Sequence, residues 1–245
     1  MANILRLFNR RMHKLPDFSA VIFDMDGLVL DTETTYVAAW QQAADAMGYE
    51  FPEAFCLSMS GLHSEVVEQR LMAFCGADFD LKTFARLSTD YWHHYVNTHG
   101  INTKKGFRQL LDLIAGQGIP YCLATNSPML NAYQCLESAG IRDVFSTIVT
   151  RDHVRQGKPS PEIFLKAAAL LNVPISRCLV VEDSHAGIEA ASRAGAFSVL
   201  IPSILPVDPH TRELCDVMMN DLAQLADVIN GFIPVATPIG PQENS

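Results

Sequence analysis

The chain has no apolar run near the ~18 residues that a membrane span needs, no Cys-x-x-Cys pair and no excess of basic charge. Each absence excludes something. A transmembrane segment is not expected. Met1 to Lys14 carries Arg6, Arg10, Arg11 and Lys14, but its apolar stretch is short and no small-residue cleavage site follows. A signal peptide fits that pattern poorly, and the segment reads as a tail. Six scattered cysteines, several in apolar surroundings such as Tyr121-Cys122-Leu123-Ala124, behave as small hydrophobes rather than as a disulfide framework or zinc site. The expected location is therefore a reducing cytoplasm. A formal net charge of −9 argues against nucleic acid as a partner. It leaves anionic substrates open, since a bound metal and one lysine reverse a local field.

What is present is ample apolar material. With 245 residues, 49% of them hydrophobic, the chain can bury one large core or a core plus an inserted unit. Short apolar runs at Val21–Phe23, Tyr121–Ala124, Ile148–Val149, Leu179–Val181 and Val199–Ile201 predict strands. Helical periodicity lies between them. Phe107, Leu110, Leu111 and Ile114 share a face ahead of Gly118, and Ser160-Pro161-Glu162 predicts an N-cap at Ser160 before Ile163 to Leu171. Ala186 to Ala194 predicts a further helix ended by Gly195. Strand, helix and strand in alternation predict an α/β fold, a doubly wound parallel sheet.

The alternation fails once. Between Asp31 and Lys104 only helical stretches occur, near Glu33–Met47, His63–Phe74 and Leu81–Thr98. An inserted helical domain is the natural reading, and it would leave the sheet directly after Asp24-Met25-Asp26-Gly27. The expected organisation is an N-terminal tail at 1–17, a core from 18–31 and 105–231, a helical cap at 32–104 and a C-terminal tail at 232–245.

Asp24 and Asp26 follow the run Ala20-Val21-Ile22-Phe23, so both leave a buried strand at its C-terminal end, where open α/β sheets place ligands. Alone, an Asp-Gly pair reads equally well as a turn. Three other predicted strands end in polar residues. Thr125-Asn126-Ser127 follows one, Gly157-Lys158-Pro159 lies in the loop after the next, and Glu182-Asp183-Ser184 follows a third. Each has a bland reading as turn, solvated loop or helix cap. Together, four carboxylates in one crevice call for a dication, and hard oxygen ligands suit Mg²⁺.

These four segments, in this order, resemble the motifs of the haloacid dehalogenase superfamily, and the likeness covers Phe18 to about Ile201. It implies a Rossmann-like core, with the helical insertion as a type 1 cap of the phosphatase and phosphoglucomutase-like branch. It makes Asp24 the nucleophile that forms an aspartyl-phosphate and Asp26 the general acid and base. It implies that Mg²⁺ is held by Asp24, the Asp26 backbone carbonyl and Asp183, with Glu182 acting directly or through water. Thr125 and Lys158 would bind the transferring phosphoryl group, assisted by backbone N–H groups near Asn126. A monomer acting on a small phosphorylated molecule is the family-like expectation.

A β-phosphoglucomutase usually carries a histidine where this chain has Tyr36, and an arginine that Gly61-Leu62-His63-Ser64 does not offer. Both departures favour hydrolysis over phosphosugar isomerisation. His63 remains a candidate for substrate contact. The leading reading is a Mg²⁺-dependent phosphatase of a sugar phosphate or similar monophosphate. The alternatives are a phosphosugar mutase and a non-catalytic binding or regulatory protein on the same fold.

Overall fold

A computed structural model describes residues 15–59 and 64–231. His63, the residues Gly61 and Leu62 beside it, and both terminal segments expected as tails before Leu15 and after Gly231 lie outside the described residues. The elements in chain order are β1 (Ala20–Phe23), α1 (Thr32–Ala46), α2 (Glu53–Leu57), α3 (Ser64–Cys75), α4 (Leu81–His99), α5 (Phe107–Gly116), β2 (Tyr121–Ala124) and α6 (Met129–Ser138). There follow β3 (Ile148–Val149), α7 (Glu162–Leu170), β4 (Cys178–Glu182), α8 (His185–Ala194), β5 (Phe197–Leu200), α9 (Pro209–Leu214), β6 (Val217–Met218) and α10 (Leu222–Ile229).

The six strands form one parallel sheet in the order β3-β2-β1-β4-β5-β6. From β1 the chain winds outward through β2 and β3, then crosses back to lay β4 on the other side of β1. The order reverses between β1 and β4, and that is where open α/β sheets leave a crevice. All four residues of β1 are fully buried because helices cover both faces. Val21 and Phe23 pack with Phe107, Leu110 and Ile114 of α5 and with Leu222 and Leu225 of α10. Ala20 and Ile22 face Ile163, Phe164 and Ala167 of α7 and Ala190 and Ala191 of α8.

The stretch from Asp31 to Lys104 holds α1 to α4 and no strand among its described residues. Its own core gathers Val37, Ala43, Phe51, Cys56, Leu71, Phe79 and Phe84, with Phe51 and Phe55 edge to face at 5.1 Å. The two linkers to this insertion pair with each other. Leu30 bridges Thr103, Asp31 N–H donates to the Asn102 carbonyl at 2.9 Å, and Lys104 N–H donates to the Val29 carbonyl at 2.9 Å.

Several elements differ from expectation. The helix expected from an N-cap at Ser160 begins at Glu162 with Pro161 at the cap position, and Ser160 Oγ accepts from Glu162 N–H at 3.4 Å. The Glu162 carboxylate turns back to accept from the Arg155 and Gln156 N–H groups. The helices α2, α9 and α10 and the strand β6 were not expected; the five-residue α2 and the two-residue β6 are too short to show periodicity. As expected, α8 ends at Gly195 in the left-handed region, with φ +78.

Candidate active site

Lys158 is the centre of a buried charge cluster. Its Nζ donates to Asp24 Oδ1, to Glu182 Oε1 at 2.5 Å and to the Ala124 carbonyl at 2.9 Å, which uses all three ammonium protons. It also lies 5.0 Å from the Phe164 ring centroid. The loop carrying it is clasped from the side by Asn126. The Asn126 Oδ1 accepts from Lys158 N–H at 2.8 Å and its Nδ2 donates to the Lys158 carbonyl at 3.1 Å. A side chain at Gly157 would intrude on this clasp, its Cβ only 2.5 Å from Asn126 Oδ1.

Each carboxylate is held by its own element. Asp24 comes straight off β1, its N–H bonded to the Val181 carbonyl of β4 at 3.0 Å. Glu182, the last residue of β4, is fully buried and accepts four hydrogen bonds. One comes from Lys158; the others come from Asp183 N–H (3.1 Å), Ser184 N–H (3.3 Å) and Ser184 Oγ (3.0 Å). The first turn of α8 closes over it so tightly that a Cβ at Gly187 would fall on the Glu182 carboxylate. Asp183 turns to the other side, where its Oδ2 accepts from Ser203 Oγ at 2.6 Å.

Asp26 stands apart from this cluster. Its Oδ2 accepts from Ser127 Oγ at 2.7 Å and from Thr125 Oγ1 at 3.3 Å. The Thr125 hydroxyl in turn accepts from Ser127 N–H at 2.9 Å. The cap side is closed by Tyr36 of α1, whose ring stacks on Trp92 of α4 with centroids 5.8 Å apart and planes 17° from parallel. Burial, then the charge of Asp26, raises the Tyr36 phenol above its ordinary range.

The electrostatics are those of too many acids. Burial pushes the Asp24 carboxyl up to about 8, with Lys158 opposing the rise and Glu182 and Asp26 adding to it. Burial, then Asp24 and Glu182, likewise holds Asp183 well above the usual carboxylate range. Burial works to lower the Lys158 ammonium, but Asp24 and Glu182 together carry it above an ordinary lysine. Asp24, Glu182 and Asp183 can each present an oxygen within 4.8 Å of the others, so this cluster could hold a metal ion. The donors are all hard oxygens, and one lysine does not balance the two buried carboxylates of Asp24 and Glu182 and the half-buried one of Asp183. The set therefore fits a hard dication such as Mg²⁺. Glu182 has both oxygens already engaged, which leaves Asp24 and Asp183 facing the space between them.

The structure thus brings Asp24, Asp26, Thr125, Asn126, Lys158, Glu182 and Asp183 to one sheet edge. Sequence reasoning gave Ser127 no role of its own and missed Ser203. Ser127 carries a signal, a hydroxyl within a polar strand exit. Ser203 carries none, being one serine in a loop after β5.

The profile of the Haloacid dehalogenase-like hydrolase family matches residues 21–201. A phosphorylated carbohydrates phosphatase of Thermotoga maritima is 32% identical over 176 residues, 72% of this chain and 81% of that protein. Fructose-1-phosphate phosphatase YqaB of Escherichia coli is 30% identical over 184 residues, 74% of this chain and 95% of its own length. Among solved structures, a β-phosphoglucomutase of Clostridium difficile aligns with a TM-score of 0.65 and 25% identity, over 88% of this chain and 98% of the other. The chain belongs to the haloacid dehalogenase-like hydrolases, on the branch that holds the β-phosphoglucomutases and the phosphosugar phosphatases.

Proposed function

We propose that the protein is a Mg²⁺-dependent phosphatase that hydrolyses a small sugar phosphate or similar monophosphate through an aspartyl-phosphate. The observation that carries this is the separation of the two strand-end aspartates. Asp24 is locked against Lys158, while Asp26, among the described residues, is held by the Ser127 and Thr125 hydroxyl groups.

Asp24 attacks phosphorus with its carboxylate oxygen, and the bond from phosphorus to the leaving alkoxide breaks. Lys158 opposes the rise that burial imposes on Asp24 and aims its carboxylate, and its charge offsets that on the transferring oxygens. Asp26, poised by Ser127 and Thr125, gives its proton to the leaving oxygen. It then takes one from the water that cleaves the aspartyl-phosphate, which returns both aspartates to their starting states. Asp24 and Asp183 would hold Mg²⁺, with the Asp26 carbonyl, and the ion would supply charge stabilisation at the phosphoryl group. Glu182 acts in this scheme by fixing Lys158 and the start of α8 rather than as a direct ligand. Asn126 braces the Lys158 loop. The helical stretch 32–104 serves as the cap and reads the substrate.

The names of relatives support phosphorylated carbohydrates as the substrate class. A phosphosugar mutase is the second reading, because a β-phosphoglucomutase shares the fold over most of both chains. Tyr36, in place of a mutase histidine, weighs against it.

The test is phosphate release from a panel of sugar phosphates and other monophosphates, with Mg²⁺ and with EDTA, by wild type and Asp24→Asn. Release from at least one sugar phosphate, lost in EDTA and lost in a folded Asp24→Asn variant, is expected. Full turnover by Asp24→Asn would sink the nucleophile assignment. Isomerisation through a bisphosphate without free phosphate would establish the mutase. No activity on any monophosphate would favour a binding role.

A further inference from the structure

Glu33 stands in the first turn of α1, where an acid ordinarily does no more than face the helix N-terminus. Here its side chain is folded inward and only 13% exposed. Its two oxygens face different ways. Oε2 accepts from Lys104 Nζ at 3.1 Å, and Lys104 also lies 4.0 Å from Asp31. Oε1 looks across Gly27. A Cβ at Gly27 would lie 2.8 Å from Glu33 Oε1 and would overlap Asp183 Oδ2. The two carboxylates therefore share one small space over the Asp24-to-Gly27 turn, with no side chain between them.

That space is costly to leave without positive charge. Like charges brought together disfavour ionisation, and Glu33 adds to the rise already imposed on Asp183 by burial, Asp24 and Glu182. Lys104 relieves it only in part, because its ammonium sits on the Glu33 oxygen turned away from Gly27 and Asp183. Lys158 does not relieve it either, since its protons go to Asp24, Glu182 and Ala124. Mg²⁺ keeps several of its waters when it binds protein, so acids beyond direct reach still act on it.

We propose that Glu33 is a positioning residue of the metal site: across the space above Gly27, its Oε1 helps to hold the ion on the Asp24–Asp183 side and so ties the first helix of the insertion to that ion. The proposal rests on the metal-dependent reading given above. It makes α1 placement and ion binding reciprocal. Whatever affinity the ion gains from Glu33 is gained only with α1 where it now lies, so the ion favours that placement by the same factor. Lys104 moderates the effect, because it shares the Glu33 charge with the second linker.

Mg²⁺ binding is measured by titration calorimetry on wild type, Glu33→Gln and Lys104→Met without substrate, with melting curves in EDTA to show that each variant is folded. Glu33→Gln is expected to bind Mg²⁺ roughly 10-fold or more weakly, the usual scale for losing an outer partner of a metal site. Lys104→Met is expected to bind it as tightly as wild type or more tightly, since Glu33 is then unshared. If Lys104→Met does not fold, Lys104→Gln replaces it. Hydrogen exchange gives a second readout: Mg²⁺ should protect the first turns of α1 in wild type and not in Glu33→Gln. The proposal falls if Glu33→Gln binds Mg²⁺ like wild type. It falls equally if both variants weaken binding alike, for then Glu33 serves only the linker through Lys104. Absence of Mg²⁺ binding by wild type would instead overturn the metal reading of the site and this inference with it.

Discussion

Lys158→Met keeps the length of the side chain and removes the only cation that, among the described residues, pairs with Asp24 and Glu182. Lys158 is 4% exposed, so solvent does not replace the lost charge. Breaking a buried ion pair from one side costs about 3–5 kcal/mol, because the partner is left charged and dry. Here two carboxylates are left, and the Ala124 carbonyl loses its donor too. Protonation of Asp24 limits the damage, since burial already pushes that carboxyl up to about 8. For a chain of this size each kcal/mol shifts the melting temperature by about 2–4 °C, so a fall of roughly 6–20 °C is expected near pH 8. The loss should shrink toward pH 5, where the abandoned carboxylates bind protons. It should also shrink in an Asp24→Asn background, where one of them is already neutral. The assay is melting by circular dichroism in EDTA from pH 5 to 8, for wild type, both single variants and the double variant. A Lys158→Met protein that melts within about 2 °C of wild type at pH 8 would refute the reasoning. So would a deficit that is the same at both pH values and in both backgrounds.

Two further outcomes test the same site from other directions. Gly187→Ala places a methyl group on the Glu182 carboxylate, so Glu182 must move and release Lys158; a loss of about 1–3 kcal/mol and of most phosphate release is expected, and a wild-type-like variant would show that the packing of α8 over Glu182 is not needed. In EDTA the melting temperature should fall as the pH rises from 6 through about 8, because Asp24 and Asp183 are held above their unfolded values and so stabilise the fold only while protonated. Added Mg²⁺ should flatten that decline, and a profile in EDTA that stays level would count against the buried acid cluster.

The central strands were legible because burial on both faces leaves a mark that needs no partner to read. Ala20-Val21-Ile22-Phe23 and Leu179-Val180-Val181 are apolar without interruption, and their neighbours in the sheet merely supply the register. The site was legible for a related reason. Each of its polar groups follows such a strand, so a parallel sheet brings them to one edge whatever the helices do. What escaped notice depends on contacts between distant segments. Val217–Met218 is a strand only because β5 lies beside it. Glu33 and Ser203 have the local pattern of a helix-start acid and a loop serine, and only the folded chain sets both against Asp183. Asn126 was placed near the phosphoryl group through its backbone, while its side chain clasps the Lys158 loop. An amide bonded to another segment's backbone has no signature in its own neighbourhood.

The pairing of Leu30 with Thr103 means that the helical insertion begins and ends at almost one point. The entropy of closing a loop grows only with the logarithm of its length, so the sheet bears nearly the same burden whether it carries all of α1 to α4 or a tight turn. Since the ends are already joined by backbone hydrogen bonds, the junction at Val29–Asp31 and Asn102–Lys104 is a natural seam for chimeras. An insertion of different length or architecture grafted there is expected to leave the register of every strand unchanged, and on the proposed reading it would change substrate choice while the strand-end residues stay as they are.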